Sequence, residues 1–121
     1  MKTLIPGRLE AFLAQDDDAP IVMLNLLRFA PGAGRARYTD YLTRAAPIVA
    51  RHGGAIAFAG DGLAALAAEP GQAWDAVALV RYPSRDAFAA LIADPDYAPI
   101  DALRQAALVE AVLQPVAPLL R

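Results

Sequence analysis

Apolar side chains along this chain fall into two rhythms. Ile21 to Phe29, IVMLNLLRF, is an almost unbroken aliphatic run, led in by Ala19-Pro20 and closed by Pro31-Gly32-Ala33-Gly34. A run this apolar, too short for a long helix and bounded by breakers, predicts a strand buried on both faces. Trp74 to Tyr82 (WDAVALVRY), residues 107–114 (ALVEAVLQ) and Ala55 to Ala59 (AIAFA) predict three more strands. Elsewhere the period is helical. Tyr38, Tyr41, Leu42, Ala45, Ile48, Val49 and His52 recur at three- and four-residue steps, while Arg35, Arg37, Asp40, Arg44 and Arg51 fall off that stripe, so a helix is predicted over about 35–52. Pro47 removes one of its hydrogen bonds, and a kink is expected near Thr43 to Ala46. Gly53-Gly54 supplies a left-handed C-terminal cap.

The remaining elements are shorter. Leu9, Phe12 and Leu13 mark an amphipathic helix over 7–15. Ser84 is placed to cap a helix carrying Phe88, Leu91 and Ile92, with Asp86 favourable in its first turn, and Asp94-Pro95 ends it. A short helical segment through Ile100, Leu103 and Arg104 precedes the last strand, which Pro115 is expected to close. Leu63 to Ala68 fits an edge strand or a helical turn equally. Glu69 to Gln72 is the segment expected to be most mobile.

The order is helix, then β-α-β-β-α-β, the split arrangement of a ferredoxin-like α+β fold. The domain reading is one unit over 1–121, with a core at 20–114 and a tail at 115–121. The first and third core strands are expected to run parallel and adjacent at the sheet centre. Helices cover only one face of such a sheet. An aliphatic second face then calls for a second copy, which makes a homodimer the expected assembly.

Composition narrows the function classes. Of 121 residues 57% are hydrophobic and 20% charged, which excludes disorder. A net charge of −2 gives no electrostatic reason to expect nucleic acid or an anionic membrane surface. There is no cysteine, hence no disulfide or thiolate chemistry. No apolar run reaches the length of a membrane span, and Pro6-Gly7 interrupts the start before a signal-peptide core forms, so a cytoplasmic location is expected. Gly60-Asp61-Gly62 opens no helix and is a turn, not a dinucleotide fingerprint. No RNA-binding signature lies on the Trp74 strand. No cofactor and no metal are expected.

Candidate chemistry is sparse. His52 is the one histidine, and without cysteine it excludes the common zinc sites. It is read either as a helix-terminal cap or as a pocket base. Asp16-Asp17-Asp18 reads as a solvated turn, since three consecutive carboxylates do not converge on one ion without a curved loop. Tyr38, Tyr41 and Tyr97 read as core, with hydroxyls reaching the surface. Asn25 interrupts the first strand and either ties down a helix backbone or lines a cavity beside Met23.

The Pro20-to-Phe29 strand, the Tyr38-x-x-Tyr41-Leu42 helix running to His52-Gly53-Gly54, Trp74-Asp75 entering a strand that ends Tyr82-Pro83-Ser84, and Asp94-Pro95-Asp96-Tyr97 together resemble the small dimeric α+β-barrel proteins catalogued as domain of unknown function 1330. The resemblance covers roughly residues 20–114 and rests on turn and packing signatures. It implies the fold and dimerisation. Related barrels include cofactor-independent monooxygenases, EthD-like and NIPSNAP-like proteins and some haem-binding enzymes, and none supplies a catalytic motif matched here residue by residue. The N-terminal helix and the alanine-rich 63–69 insert depart from the minimal pattern.

Strand alternation puts Val22, Leu24, Leu26 and Arg28 on one face of the first strand. With a parallel neighbour, Arg28 and Arg81 share a face and an end, and Glu110 of the last strand reaches Arg28. That cluster reads either as a carboxylate clamp for a small organic acid or as a structural ion-pair network. Two functions follow. One is a cofactor-independent enzyme acting on a small hydrophobic or aromatic acid, with His52 or Glu110 as base. The other is a non-catalytic dimer that binds or senses a small molecule. An enclosed cavity of about 300 Å³ or more with convergent polar groups separates binding from a scaffold role.

Overall fold

The computed structural model describes residues 2–15 and 18–120. Its elements run α1 (Arg8–Ala14), β1 (Ile21–Phe29), α2 (Gly34–Arg51), β2 (Ala55–Asp61), β3 (Ala76–Tyr82), α3 (Arg85–Ala93), α4 (Ala98–Ala107) and β4 (Leu108–Val116). The four strands form one sheet in the order β2-β3-β1-β4, with every neighbouring pair antiparallel. This is the expected ferredoxin-like α+β fold, with α3 and α4 together occupying the second crossover.

One expected pairing is overturned. β1 and β3 are adjacent but antiparallel, with Val22 opposite Arg81 and Leu27 opposite Ala76. The α2 crossover returns β2 parallel to β1, and β3 turns back against β2. A strand inserted between two parallel strands and joined to one by a reversal must oppose both. The same-end placement of Arg28 and Arg81 falls with that pairing. Pro115 does not end β4, which continues to Val116. β4 is an edge strand, the position in a sheet that tolerates proline. Trp74 and Asp75 precede β3 rather than opening it, and the Leu63–Ala68 segment is neither helix nor strand.

The caps follow the sequence. Ser84 Oγ accepts a hydrogen bond from the Ala87 N–H at 3.1 Å. At the end of α2, Gly53 takes φ +80°, while the Gly53 and Gly54 N–H groups donate to the carbonyls of Ala50 and Val49. That is a Schellman closure with His52 as C-cap. Gly54 is required there, because a Cβ would come within 2.9 Å of the Arg81 carbonyl and the Val49 side chain. Helix α2 runs unbroken through Pro47.

Burial alternates along β1: Ile21, Met23, Asn25 and Leu27 are buried, and Val22, Leu24, Leu26 and Arg28 are only partly so. One apolar cluster joins Ile21 and Met23 to Ile48, Val49, Tyr82, Phe88, Leu91 and Tyr97. A second joins Leu27 to Tyr38, Ala76, Ala107, Leu108 and Ala111. Leu9 and Phe12 of α1 pack on the first, with Phe12 edge-on to Phe88 at 6.1 Å. Within one chain only the helix-bearing face is covered, so β1 is not buried on both faces. Leu27 is fully buried. Leu27→Ala should therefore lower unfolding stability by about 2–5 kcal/mol in chemical denaturation, the range for emptying a packed leucine site.

Candidate functional site

The uncovered face carries the aliphatic side chains of Val22, Leu24, Leu26, Val77, Leu79, Val112 and Val116, all half-buried. The sequence-derived site residues divide around this face. Arg28 and Glu110 lie opposite each other across β1 and β4, and Arg28 Nε meets Glu110 Oε1 at 2.5 Å. Arg81 is on the same face but opposite Val22, so it stands six positions along the strands from Arg28, about 20 Å. The three do not form one cluster.

Arg28 is fully engaged inside the chain. Besides Glu110, its guanidinium donates to the carbonyls of Ala73 and Gly71 and stacks over Trp74 at 4.1 Å. It anchors the segment expected to be mobile, with Phe29 N–H donating to Asp75 Oδ2 beside it. Among the described residues, the Arg81 side chain has no hydrogen bond or ion pair, and it is exposed.

His52 is at the α2 terminus on the helix side, away from Glu110. Its Nε2 lies 2.8 Å from Asp94 Oδ2, at the C-cap of α3. Arg51 donates to Asp94 at 2.9 Å and to Asp96 at 3.0 Å, and the Asp96 N–H donates to Asp94 Oδ1 at 2.9 Å. The His52 hydrogen bond, then that backbone N–H and the Arg51 guanidinium, hold the Asp94 carboxyl below its usual 3.8. The ionised Asp94 accepts from Nε2–H, so this cluster staples two helix ends. Sequence reading missed Asp94 as the partner; the signal was an Asp-Pro-Asp turn placed to meet the Arg51-His52 terminus. No three His, Asp or Glu side chains among the described residues gather to hold a metal. Asp16 and Asp17 lie outside the described residues.

Asn25 points under the sheet, 7% exposed, with long contacts of 3.4 and 3.5 Å to the carbonyls of Met23 and Ala78. It separates the two apolar clusters and lines neither hollow described below. The tyrosines are core as expected, but the Tyr41 and Tyr97 hydroxyls bond each other at 2.8 Å instead of reaching solvent independently. Burial pushes the Tyr97 phenol up to about 12 and the Tyr41 phenol well above its usual value, so both stay neutral.

Two hollows bear on these residues. A cleft of about 130 Å³ sits between the start of α2 and the end of β2, walled by Phe29, Tyr38, Leu42 and Ala76. The Arg35–Asp61 pair, doubly bonded at 2.9 and 2.7 Å, lies at its rim. A groove of about 400 Å³ lies on the uncovered face at the Arg81 end, against Pro20, Val22, Val116, Pro118 and Leu120. Of the expected site residues only Arg81 lines either hollow. Among the described residues no helix is long and apolar enough to cross a membrane.

The antiparallel sheet with helices on one side defines a ferredoxin-like α+β protein. The chain belongs to the family described as domain of unknown function (DUF1330), whose model matches residues 33–114. It is similar to the RPA0582 protein of unknown function from Rhodopseudomonas palustris, at 31% identity over 98% of this chain and 97% of that one, with a TM-score of 0.87. Its fold is also that of a dimeric ferredoxin-like protein of unknown function from Jannaschia sp. CCS1, at 10% identity, 83% and 100% coverage and a TM-score of 0.65. SnoaB, a cofactor-independent oxygenase from Streptomyces nogalater, shares it at 20% identity, 84% and 95% coverage and a TM-score of 0.59. No curated protein matches.

Two outcomes follow from these contacts. Arg28→Met should cost about 1.5–3 kcal/mol, since it removes charge-assisted hydrogen bonds, and should expose residues 69–74 to proteolysis. For Asp94, a carboxyl lowered in the folded chain stabilises it above the ordinary value, and that contribution is lost as pH falls below 3.8. Asp94→Asn should thus unfold more easily than the parent at neutral pH, and the gap should close in acid denaturation below about pH 4.

Proposed function

We propose that this chain acts as a homodimer that binds a small organic molecule, the two uncovered sheet faces closing over one another. The observation that carries this reading is the seven-residue aliphatic surface of β1, β3 and β4, which no helix of the same chain covers. An apolar patch that continuous, rimmed by Arg28, Glu110 and Arg81, is the pattern of an interaction face. A self-complementary patch on each copy suits an isologous two-fold contact. The 400 Å³ groove at its end has the volume of a ligand pocket, but within one chain it is open and carries one charged side chain, Arg81, so the second copy is needed to enclose it.

Binding is favoured over catalysis because neither base named from sequence faces a hollow. His52 is committed to Asp94 and Glu110 to Arg28. A general base needs hydrogen-bond reach to a substrate proton. The enzyme reading keeps support from the likeness to a cofactor-independent oxygenase, which is a likeness of fold and does not carry chemistry.

Sedimentation velocity at micromolar concentration tests the assembly. The parent chain should run as a dimer and Leu24→Glu as a folded monomer, because a carboxylate in the centre of the closed face has no partner. A parent that sediments as a monomer would sink the reading. Native mass spectrometry of the dimer should show a retained small molecule.

A further inference from the structure

We infer that the groove at the Arg81 end of the uncovered face takes an amphipathic monocarboxylate, with the Arg81 guanidinium holding the head and the aliphatic wall holding a medium-length hydrocarbon body. This rests on the proposed binding function and specifies the class of ligand.

The two arginines of this face make the contrast. Both follow the same strand alternation, yet Arg28 spends its donors on Glu110, Ala73 and Gly71. Arg81 spends none on the described residues. A guanidinium without partners becomes costly once a second face closes over it and removes water. A planar oxyanion satisfies it with two parallel hydrogen bonds, the geometry a carboxylate offers.

The rest of the groove excludes most other ligands. Its described walls are Ala19, Pro20, Val22, Val116, Pro118 and Leu120, and among the described residues Arg81 is the one charged group in the lining. A dianion would leave one charge against hydrocarbon, and a neutral oil would leave Arg81 unpaired; both are penalised. Val22 lies between Arg81 and Val116 in the sheet, pairing with each. Two strand spacings span about 10 Å, which accommodates a chain of several methylenes lying across the strands. Pro20 and Pro118 stiffen the two chain segments at its edges.

Isothermal titration calorimetry of the full chain with octanoate and with octan-1-ol, alongside sedimentation velocity of the same samples, tests this. Octanoate should bind once per protomer, and octan-1-ol at least tenfold more weakly. Arg81→Met should weaken octanoate at least tenfold while the dimer and its thermal unfolding stay as in the parent. Arg81→Met binding octanoate like the parent, octan-1-ol matching octanoate, or a parent dimer that ignores octanoate would each overturn the inference. So would loss of the dimer in Arg81→Met, which would mean that Arg81 pairs with a carboxylate of the second copy. A monomeric parent that binds octanoate through Arg81 would instead remove the dimer and leave the ligand class standing.

Discussion

A sheet that carries all its helices on one side has two apolar surfaces and the means to hide one. Crossover connections between parallel strands are right-handed almost without exception, so α2 and the α3–α4 pair land on the same face. Ile21, Met23 and Leu27 are buried beneath them. Val22, Leu24 and Leu26 point the other way and stay half-buried. The shape of the molecule, the case for a second copy and the position of the larger groove all follow from that imbalance.

Polar residues placed in such strands have their roles set by parity and by neighbours. Asn25 has the parity of the core, where two backbone carbonyls are within reach at 3.4 and 3.5 Å. Arg28 has the parity of the uncovered face and is absorbed by Glu110 and by the loop before β3. Arg81 shares that parity at the opposite end, where the segments beside it, Ala19-Pro20 and Pro118 to Leu120, offer its guanidinium no hydrogen-bond or ion-pair partner among the described residues. The same residue type therefore serves as a structural pin at one end of the sheet and stands free at the other.

Much of the fold was legible in residue patterns. The bounds of β1, the Ser84 cap, the glycine closure after α2 and the βαββαβ order could all be read there, because each is a local consequence of propensity or capping. The strand pairing was not. Adjacent strands of either direction show the same alternation, and direction is settled by which strand a connection inserts between the others. A wrong direction for β3 moved Arg81 to the wrong end of the sheet and assembled a three-residue cluster that the fold separates. The Arg28–Glu110 pair was legible because it depends on β4 running against β1, which the topology does give. The Asp94 partner of His52 was not, since those side chains lie 42 residues apart in the chain.

Residue order alone determined that this chain folds as one α+β layer pair, lacks thiol chemistry and has more apolar strand surface than its helices can cover. These follow from periodicity, composition and turn chemistry, which act over a few residues at a time. Only the tertiary structure decided which charged groups are already paired and which face open space. Whether a guanidinium is satisfied depends on distant carbonyls and carboxylates that the fold brings to it, and no local pattern records that.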